Sequence, residues 1–202
     1  MNTDRAMMFC CYCGSALVMR IPDGDDCSRP WCHACQEAHY RNPTILVAVF
    51  LHCANKLLWT RRGIDPGKGK WAFPAGFVEC NESLQQAAAR ELREETKISV
   101  APEQLIPMSI SSVLPIDQIY VVFRYPCENE LAASATPETL EWAWRDRTSA
   151  PWEEMAHPHS RSLVEQVYTA VESGDSFMRV GHMSAEGSCH RSYPLGELIP
   201  RL

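Results

Sequence analysis

The stretch GFVECNESLQQAAARELREETKI, residues 76–98, decides the fold. Residues 83–96 are predicted to form a helix, because Leu84, Ala88 and Leu92 recur every four residues and make one apolar stripe. A helix with one apolar stripe packs that side against a core. The rest of the helix surface is then free to carry other groups.

The other face of this helix is crowded with charge. Glu91, Glu94 and Glu95 lie within one turn of each other, and like charges at that spacing destabilise a helix by about 0.2–0.5 kcal/mol per pair. Arg90 offsets part of this repulsion by pairing with Glu94 at i+4. The remaining acid is what a hard cation such as Mg²⁺ requires, since it binds carboxylate oxygens and water. The helix therefore predicts a site for a divalent metal ion.

At these residues the chain resembles the Nudix hydrolases. Their motif is Gly, five residues, Glu, seven residues, Arg-Glu, an aliphatic residue, any residue, Glu-Glu, any residue, Gly and an aliphatic residue. A solvated acidic helix face is the alternative, and it does not account for so many matches in register. The matching positions are Gly76, Glu82, Arg90, Glu91, Leu92, Glu94, Glu95 and Ile98.

Both ends of the helix carry signals. Asn81 or Ser83 can cap its start, and Ser83 with Gln86 has the spacing of a capping box. At the other end Lys97 stands where the family has Gly, a residue suited to a left-handed backbone at a helix terminus. If Lys97 keeps that backbone, the cost is about 1–2 kcal/mol. The departure affects helix termination rather than metal binding.

The resemblance implies roles for these residues in hydrolysis of a diphosphate with Mg²⁺ or Mn²⁺. The metal ligands would be Glu91 and Glu95, then Glu94, with the backbone carbonyl of Ala75. Arg90 would orient the carboxylates, and Glu82 would bind a further ion or water. These residues are the candidate catalytic and metal-binding set.

The general base is left open between a Glu of the motif and a downstream carboxylate. The segment PETLEW, residues 137–142, resembles the family's downstream acidic loop, so Glu138 or Glu141 could supply the base or another metal ligand. For each of them singly, an ordinary surface carboxylate is the competing interpretation.

Ten cysteines occur in a chain whose N-terminus has no apolar run of signal-peptide length. Metal ligation is therefore favoured over a disulfide framework. Two Cys-x-x-Cys pairs, with eighteen residues between them, have the spacing of a zinc ribbon. Four thiolates leave no open position, so this Zn²⁺ is expected to be structural. The ligands would be Cys10, Cys13, Cys32 and Cys35.

The segments around these cysteines resemble the N-terminal zinc ribbon of a subset of Nudix proteins. That subset includes plant chloroplast FAD pyrophosphatases, which also hydrolyse ADP-ribose, and bacterial relatives. We expect the ribbon to occupy residues 7–42, with Cys11 and Cys27 as non-ligands. Gln36 follows the second pair where Gly14 follows the first, which weakens the match slightly.

The remaining chain predicts an α/β sandwich around a mixed sheet, which the resemblance identifies as the Nudix fold over residues 43–183. Residues 184–202 are expected to form a loose tail in which His190, like the nearby His182, is solvated. The helix after the first is expected to end at Gly174. The predicted strands are 44–51, 56–60, a hairpin of 109–114 with 119–125, and 177–183, and the second helix is 159–173.

Residues 61–70, RRGIDPGKGK, form a basic glycine-rich loop. Its Arg61, Arg62, Lys68 and Lys70 could meet the phosphates of a substrate near the acidic helix. An ordinary solvated loop is an equally good interpretation.

The net charge of −6 and the pI near 5.6 argue against nucleic acid or an anionic membrane as a partner. No apolar stretch is long enough to span a membrane. We therefore expect a cytoplasmic protein that acts on a small-molecule nucleotide. A homodimer is expected only because it is common in the family that this chain resembles.

Three functions compete. Hydrolysis of FAD or ADP-ribose, giving AMP and a phosphorylated half, is favoured by resemblance across the ribbon, the motif and the segment LPIDQIYVVF, residues 114–123. NADH pyrophosphatases also join a zinc ribbon to a Nudix domain, but their Ser-Gln-Pro-Trp tetrapeptide does not occur in this sequence. A nucleotide sensor or transcription regulator of the same fold is a third reading, although such proteins usually lose carboxylates that this chain keeps.

Overall fold

The computed structural model describes residues 7–174 and 177–194, and the chain divides into two units between Pro43 and Thr44. The N-terminal unit contains a small antiparallel sheet in the order β1-β2-β3. Its strands are β1 (Val18–Arg20), β2 (Arg29–Cys32) and β3 (Glu37–Ala38). Strands this short enclose little apolar surface, so the unit depends on its cysteines for a core.

The second unit is built on a mixed sheet that has nine strands among the described residues. The order is β10-β5-β4-β9-β8-β11-β12, with β6 on β5 and β7 on β4, and the β4/β9 and β8/β11 pairs are parallel. The strands are β4 (Thr44–Cys53), β5 (Lys56–Arg62), β6 (Trp71–Ala72), β7 (Ala75–Phe77), β8 (Ile106–Val113), β9 (Gln118–Cys127), β10 (Thr139–Arg145), β11 (Phe177–Ser184) and β12 (Gly187–Pro194). The helices are α1 (Leu84–Thr96) and α2 (Arg161–Ser173).

Strand β4 is central because both of its faces are covered. Val47, Val49 and Leu51 pack in a core with α1, whereas Phe50 packs in a second core with α2. This alternation is what a continuous apolar strand between two helical layers requires. The prediction of an α/β sandwich around a mixed sheet is confirmed.

Helix α1 has the ends that the sequence predicts. Ser83 is the N-cap, and it exchanges side-chain to backbone hydrogen bonds with Gln86 in a capping box. Lys97 ends the helix in the left-handed conformation with φ 63°. Lys97 therefore adopts the backbone for which Gly is favoured.

The predicted hairpin is formed by β8 and β9, which pair antiparallel.

The expectation of a loose tail is wrong for residues 187–194, because they form β12 and pair with β11 along its whole length. The error has a physical reason: the side chains of β12 are mostly exposed and polar, so backbone hydrogen bonds rather than an apolar pattern define the strand. His190 was expected to be solvated, but its Nε2 lies 2.9 Å from the Ser111 hydroxyl. The rest of that segment, 195–202, lies outside the described residues.

Over the described ranges, neither of the two long helices has the length and the apolar character needed to cross a membrane.

Candidate active site and zinc site

The acidic residues of α1 differ in their surroundings. Glu95 is buried, with 9% of its surface exposed, and its Oε1 accepts a hydrogen bond from the backbone N–H of Ala75 at 3.3 Å. Glu91 is largely covered, whereas half of the Glu94 side chain is exposed. Strand β7, which carries Ala75, is paired with β4. The sheet therefore fixes the backbone against which Glu95 is buried.

Arg90 binds several carboxylates at once. Its guanidinium donates to both oxygens of Glu82 at 2.6 and 3.0 Å, to Glu91 at 2.7 Å and to Glu94 at 3.2 Å. It also donates to the backbone carbonyl of Phe77 at 3.0 Å. The predicted Arg90–Glu94 pair is present, and two further carboxylates share the same cation. Arg90 therefore contacts all three carboxylates, Glu82, Glu91 and Glu94, at once.

Glu82, expected to bind a further ion or water, is held by protein groups in this structure. Besides Arg90, its carboxylate accepts the backbone N–H of Glu79 at 2.7 Å. Hydrogen bonding to Arg90 keeps the pKa of Glu82 below its usual range. Glu82 is therefore an anchor for the Arg90 side chain.

Burial shapes the electrostatics of Glu91 and Glu95. Desolvation, together with the nearby charges of Glu91 and Glu138, raises the pKa of Glu95 to about 8. Desolvation also raises the pKa of Glu91, with contributions from Glu94 and Glu138. Both carboxylates are thus short of positive charge in their ionised forms.

Gly76 is required by the close approach of Glu91. A Cβ atom at position 76 would overlap the Glu91 carboxyl group. Any other residue at this position would displace that carboxylate from its place beside β7. The first residue of the motif therefore makes space for one of its acids.

The chemistry of Glu91 and Glu95 fits a divalent cation, since both are largely covered and a cation would relieve their repulsion. Among the described residues, however, Glu91, Glu94 and Glu95 do not bring one oxygen each within 4.8 Å of one another. Arg90 lies between two of them. In this arrangement its guanidinium offsets part of the negative charge of Glu91 and Glu94.

The two downstream carboxylates are now distinguishable. The charge of Glu138 raises the pKa of both Glu91 and Glu95, so it lies near them. Its backbone carbonyl accepts the N–H of Gly63 at 2.7 Å, which ties it to the end of β5. Glu141 instead forms an exposed ion pair with Arg61 at 3.1 Å.

The basic loop at 61–70 is held by its own backbone. Arg61 donates to the carbonyl of Gly69 and Arg62 to that of Pro66, both at 2.8 Å. The positive charge of Arg62 also lowers the pKa of Glu95. One arginine of this loop therefore acts electrostatically on the acidic group.

His157 is a neighbour of this site that sequence reasoning missed. Burial, with the charges of Arg62 and His159, lowers the pKa of His157 to about 4. The preceding residue, Ala156, lies against Gly67 of the basic loop. No local pattern marks His157, because only the folded chain brings residues 62 and 157 together.

The four predicted zinc ligands converge in the N-terminal unit. The Sγ atoms of Cys10 and Cys35 are 3.8 Å apart and those of Cys13 and Cys32 are 3.6 Å apart. Zn–S bonds of about 2.3 Å in a tetrahedron place sulfurs about 3.8 Å apart. The cluster therefore fits one Zn²⁺ ion.

The neighbouring cysteines do not join this cluster. Cys11 Sγ lies 3.7 Å from Nδ1 of His39, and Cys27 belongs to an exposed acidic turn. After the second pair, Gln36 adopts φ 58°, close to the 73° of Gly14 after the first. Both knuckles therefore use the same backbone, and Gln36 does not disturb it.

Comparisons with known proteins follow this division. A family model described as "NUDIX domain" matches residues 41–167, and one described as "Nudix N-terminal" matches residues 8–41. Curated proteins named "Phosphatase NudJ", from Escherichia coli K12 and from Shigella flexneri, are 46% identical over 95 residues, or 47% of this chain. The match spans 61% of the length of these relatives.

Two solved structures extend the comparison. The chain is similar to a NUDIX hydrolase from Nitrosomonas europaea, with 32% identity, a TM-score of 0.78, and coverage of 88% of this chain and 99% of the other. It is also similar to a bifunctional NMN adenylyltransferase/ADP ribose pyrophosphatase from Francisella tularensis, solved with AMP and a manganese ion. There the identity is 25% and the TM-score 0.51, over 64% of this chain and 43% of the other.

Proposed function

The chain belongs to the Nudix family, and on that premise we propose that it is a Mg²⁺- or Mn²⁺-dependent hydrolase of nucleoside diphosphate derivatives. It cleaves the pyrophosphate bond and releases AMP with a phosphorylated half. FAD and ADP-ribose are the preferred substrates. The products would be AMP with FMN from FAD, or AMP with ribose 5-phosphate from ADP-ribose.

The observation that carries this proposal is the burial of Glu91 and Glu95 next to each other. Desolvation and the repulsion of nearby carboxylates raise the pKa of both residues, and a bound cation would relieve that repulsion. A bound Mg²⁺ or Mn²⁺ would neutralise the diphosphate and activate a water molecule. Glu91 and Glu95, then Glu94, with the carbonyl of Ala75, are the proposed ligands.

The other residues have supporting roles in the proposal. Arg90 positions the carboxylates, and Glu82 holds Arg90 in place. Glu138 is favoured over Glu141 as the downstream base or ligand, because its charge acts on the acidic pair whereas Glu141 is paired with Arg61. A Glu of the motif is the alternative base.

Four observations support the choice of substrate. The zinc ribbon, the motif and the segment at 114–123 all resemble the FAD and ADP-ribose pyrophosphatases. A solved protein that resembles this chain is named an ADP ribose pyrophosphatase. NADH remains an alternative with the same bond cleaved.

A second candidate function is suggested by the curated relatives, which are named phosphatases. A phosphatase would release inorganic phosphate from a nucleotide rather than AMP from a dinucleotide. Because the match covers only part of those proteins, their activity is a proposal for this chain and not a finding.

The experiment is a substrate panel with Mg²⁺ or Mn²⁺, followed by chromatography and a phosphate assay. FAD, ADP-ribose, NADH, diadenosine polyphosphates and nucleoside di- and triphosphates would be compared. AMP from FAD, ADP-ribose or NADH without free phosphate supports the pyrophosphatase. Phosphate from nucleoside di- or triphosphates favours the phosphatase. Nucleotide binding without turnover would support a sensor and overturn both.

Glu95→Gln tests the assignment of the acidic group. We expect turnover to fall by about two orders of magnitude or more, because a neutral amide cannot match the charge of the carboxylate. The urea midpoint at pH 7.5 should not fall, since burial already disfavours the charged form of Glu95. Glu103→Gln, in an exposed turn, is the control and should keep full activity. Equal turnover in both variants would remove Glu95 from the mechanism.

For the ribbon we propose a structural Zn²⁺ held by the four cysteines. A thiolate site of this kind suits the reducing conditions of the cytoplasm, which we propose as the compartment. A homodimer is also proposed, and sedimentation analysis would test it.

A further inference from the structure

Arg179 of β11 is a buried guanidinium without a carboxylate partner among the described residues. Only 5% of its surface is exposed, and its Nε is buried without a hydrogen-bond partner. Nη2 donates to the hydroxyl of Ser162 at 3.3 Å. Removing a charged group from water without an opposite charge costs several kcal/mol. The position therefore calls for an anion.

The contact with Ser162 directs Arg179 at the start of α2. Ser162 lies in the first turn of this thirteen-residue helix, and the side chain of the N-cap Ser160 makes no capping hydrogen bond. The first N–H groups of a helix and its dipole favour a negative charge. A 3-10 turn, Pro158–Ser160, leads into α2, and the N–H of Arg161 donates to the carbonyl of Pro158. The buried cation and the helix dipole, rather than free N–H groups, therefore point to an anionic ligand.

The neighbouring strands add hydrogen-bonding groups to this face of the sheet. Ser109 lies opposite Arg179 in the register of β8 and β11, and its hydroxyl is 3.4 Å from that of Ser111. Ser111 also contacts His190 of β12 across Gly181, where a Cβ atom would overlap the His190 ring. Nδ1 of His190 is buried without a partner. These groups are hydroxyls, an imidazole and a guanidinium.

We propose that Arg179, the first turn of α2 and the hydroxyls of Ser162 and Ser109 bind a tetrahedral oxyanion. The ligand is inorganic phosphate or the phosphoryl group of a nucleotide. The site uses none of the acidic residues assigned to hydrolysis, so it goes beyond the proposed activity and stands or falls separately from it.

The electrostatics agree with this assignment. Burial lowers the pKa of the Arg179 guanidinium, and no acidic neighbour within residues 7–174 and 177–194 opposes the effect. Burial and the charge of Arg179 lower the pKa of His190. A bound anion would shift both pKa values upward.

The test measures anion binding by the full-length zinc-loaded protein without added Mg²⁺ or Mn²⁺. Inorganic phosphate, AMP and chloride at equal ionic strength would be compared by thermal unfolding and by ³¹P NMR titration. We expect phosphate to raise the unfolding temperature more than chloride does. An Arg179-dependent effect of AMP alone would assign the anion to a nucleotide phosphoryl group.

Arg179→Met should weaken the binding of the anion at least about tenfold, because a charge-assisted hydrogen-bonding group is lost. Arg191→Met is the matched control, since Arg191 lies on β12 next to His190 but is exposed, and it should bind as the original protein does. If Arg179→Met does not fold, Arg179→Lys replaces it and should also bind more weakly. Equal affinity in the Arg179 variant, or no effect of phosphate or AMP beyond that of chloride, overturns the site.

Discussion

Gly76 and Glu91 lie so close together that the carboxyl group takes the space of a side chain. The spacing of the motif predicts that both residues belong to one site, but not why position 76 must be Gly. The reason is steric and appears only when β7 meets α1. A single missing Cβ atom thus permits a largely covered carboxylate beside a strand.

His157 shows the reverse case, a residue whose character comes entirely from its surroundings. Its pKa is lowered from 6.5 to about 4 by burial and by Arg62 and His159. In the unfolded chain the His157 imidazole is protonated near pH 6.5, whereas in the folded protein it is protonated only near pH 4. The unfolded state binds more protons in this window, so stability falls as pH falls from about 6.5 to 4.

His157→Gln should therefore flatten the loss of stability on acidification. The urea midpoint of the original protein should drop more between pH 7.5 and pH 5 than that of the variant. His182→Gln, at an exposed position, should lose as much as the original protein. If the two variants respond to pH alike, His157 does not carry the effect.

At the scale of the element, α1 shows how far local rules reach. The capping box at Ser83 and the left-handed residue at Lys97 follow from spacing and position alone. The burial of Glu95 does not, because the helical period places this acid with Glu91 on the face opposite the apolar stripe. Packing against β7 and β4 turned one residue of the acidic face inward.

Lys97→Gly should raise the free energy of unfolding by about 1 kcal/mol, since Gly adopts φ 63° without the steric cost of a Cβ atom. Urea denaturation would measure the gain. Lys97→Ala removes the same long side chain but keeps the Cβ atom, and it should show no such gain. A similar increase in the free energy of unfolding of both variants would mean that loss of the lysine side chain, rather than relief of the backbone, causes the gain in stability.

At the scale of the whole molecule, the two units differ in how they are stabilised. The sheet between Thr44 and Pro194 has a helix and an apolar cluster on each face. In the N-terminal unit the buried side chains include Cys10, Cys32 and His39, and the strands are only two to four residues long. We therefore expect this unit to need the proposed Zn²⁺ in order to fold.

Cys13→Ser should lower the zinc content from about one ion per chain and unfold the ribbon, because three thiolates hold the ion more weakly than four. Elemental analysis would give the zinc content. Hydrogen exchange should show loss of protection in residues 8–41 and not in residues 44–174. Cys27→Ser, in the same unit but outside the cluster, should keep the ion. Full zinc content in Cys13→Ser would refute the proposed ligand set.

The sequence by itself determined the parts of this protein that depend on short spacings. Helix α1 and its caps, the cysteine pairs and the strand at β4 are all defined by residues within a few positions of each other, so their patterns are readable before folding. Strand β12 was not predicted, because its residues are mostly polar and show no alternation of apolar side chains.

Only the tertiary structure decided how charges from distant parts of the chain meet. It placed Glu138 near the acidic pair and Glu141 in an ion pair with Arg61. It also brought Arg62 beside His157 and buried Arg179 without an acidic partner among the described residues. Each of these depends on the distance between groups far apart in sequence and on how much water surrounds them. Neither quantity exists until the sheet has formed.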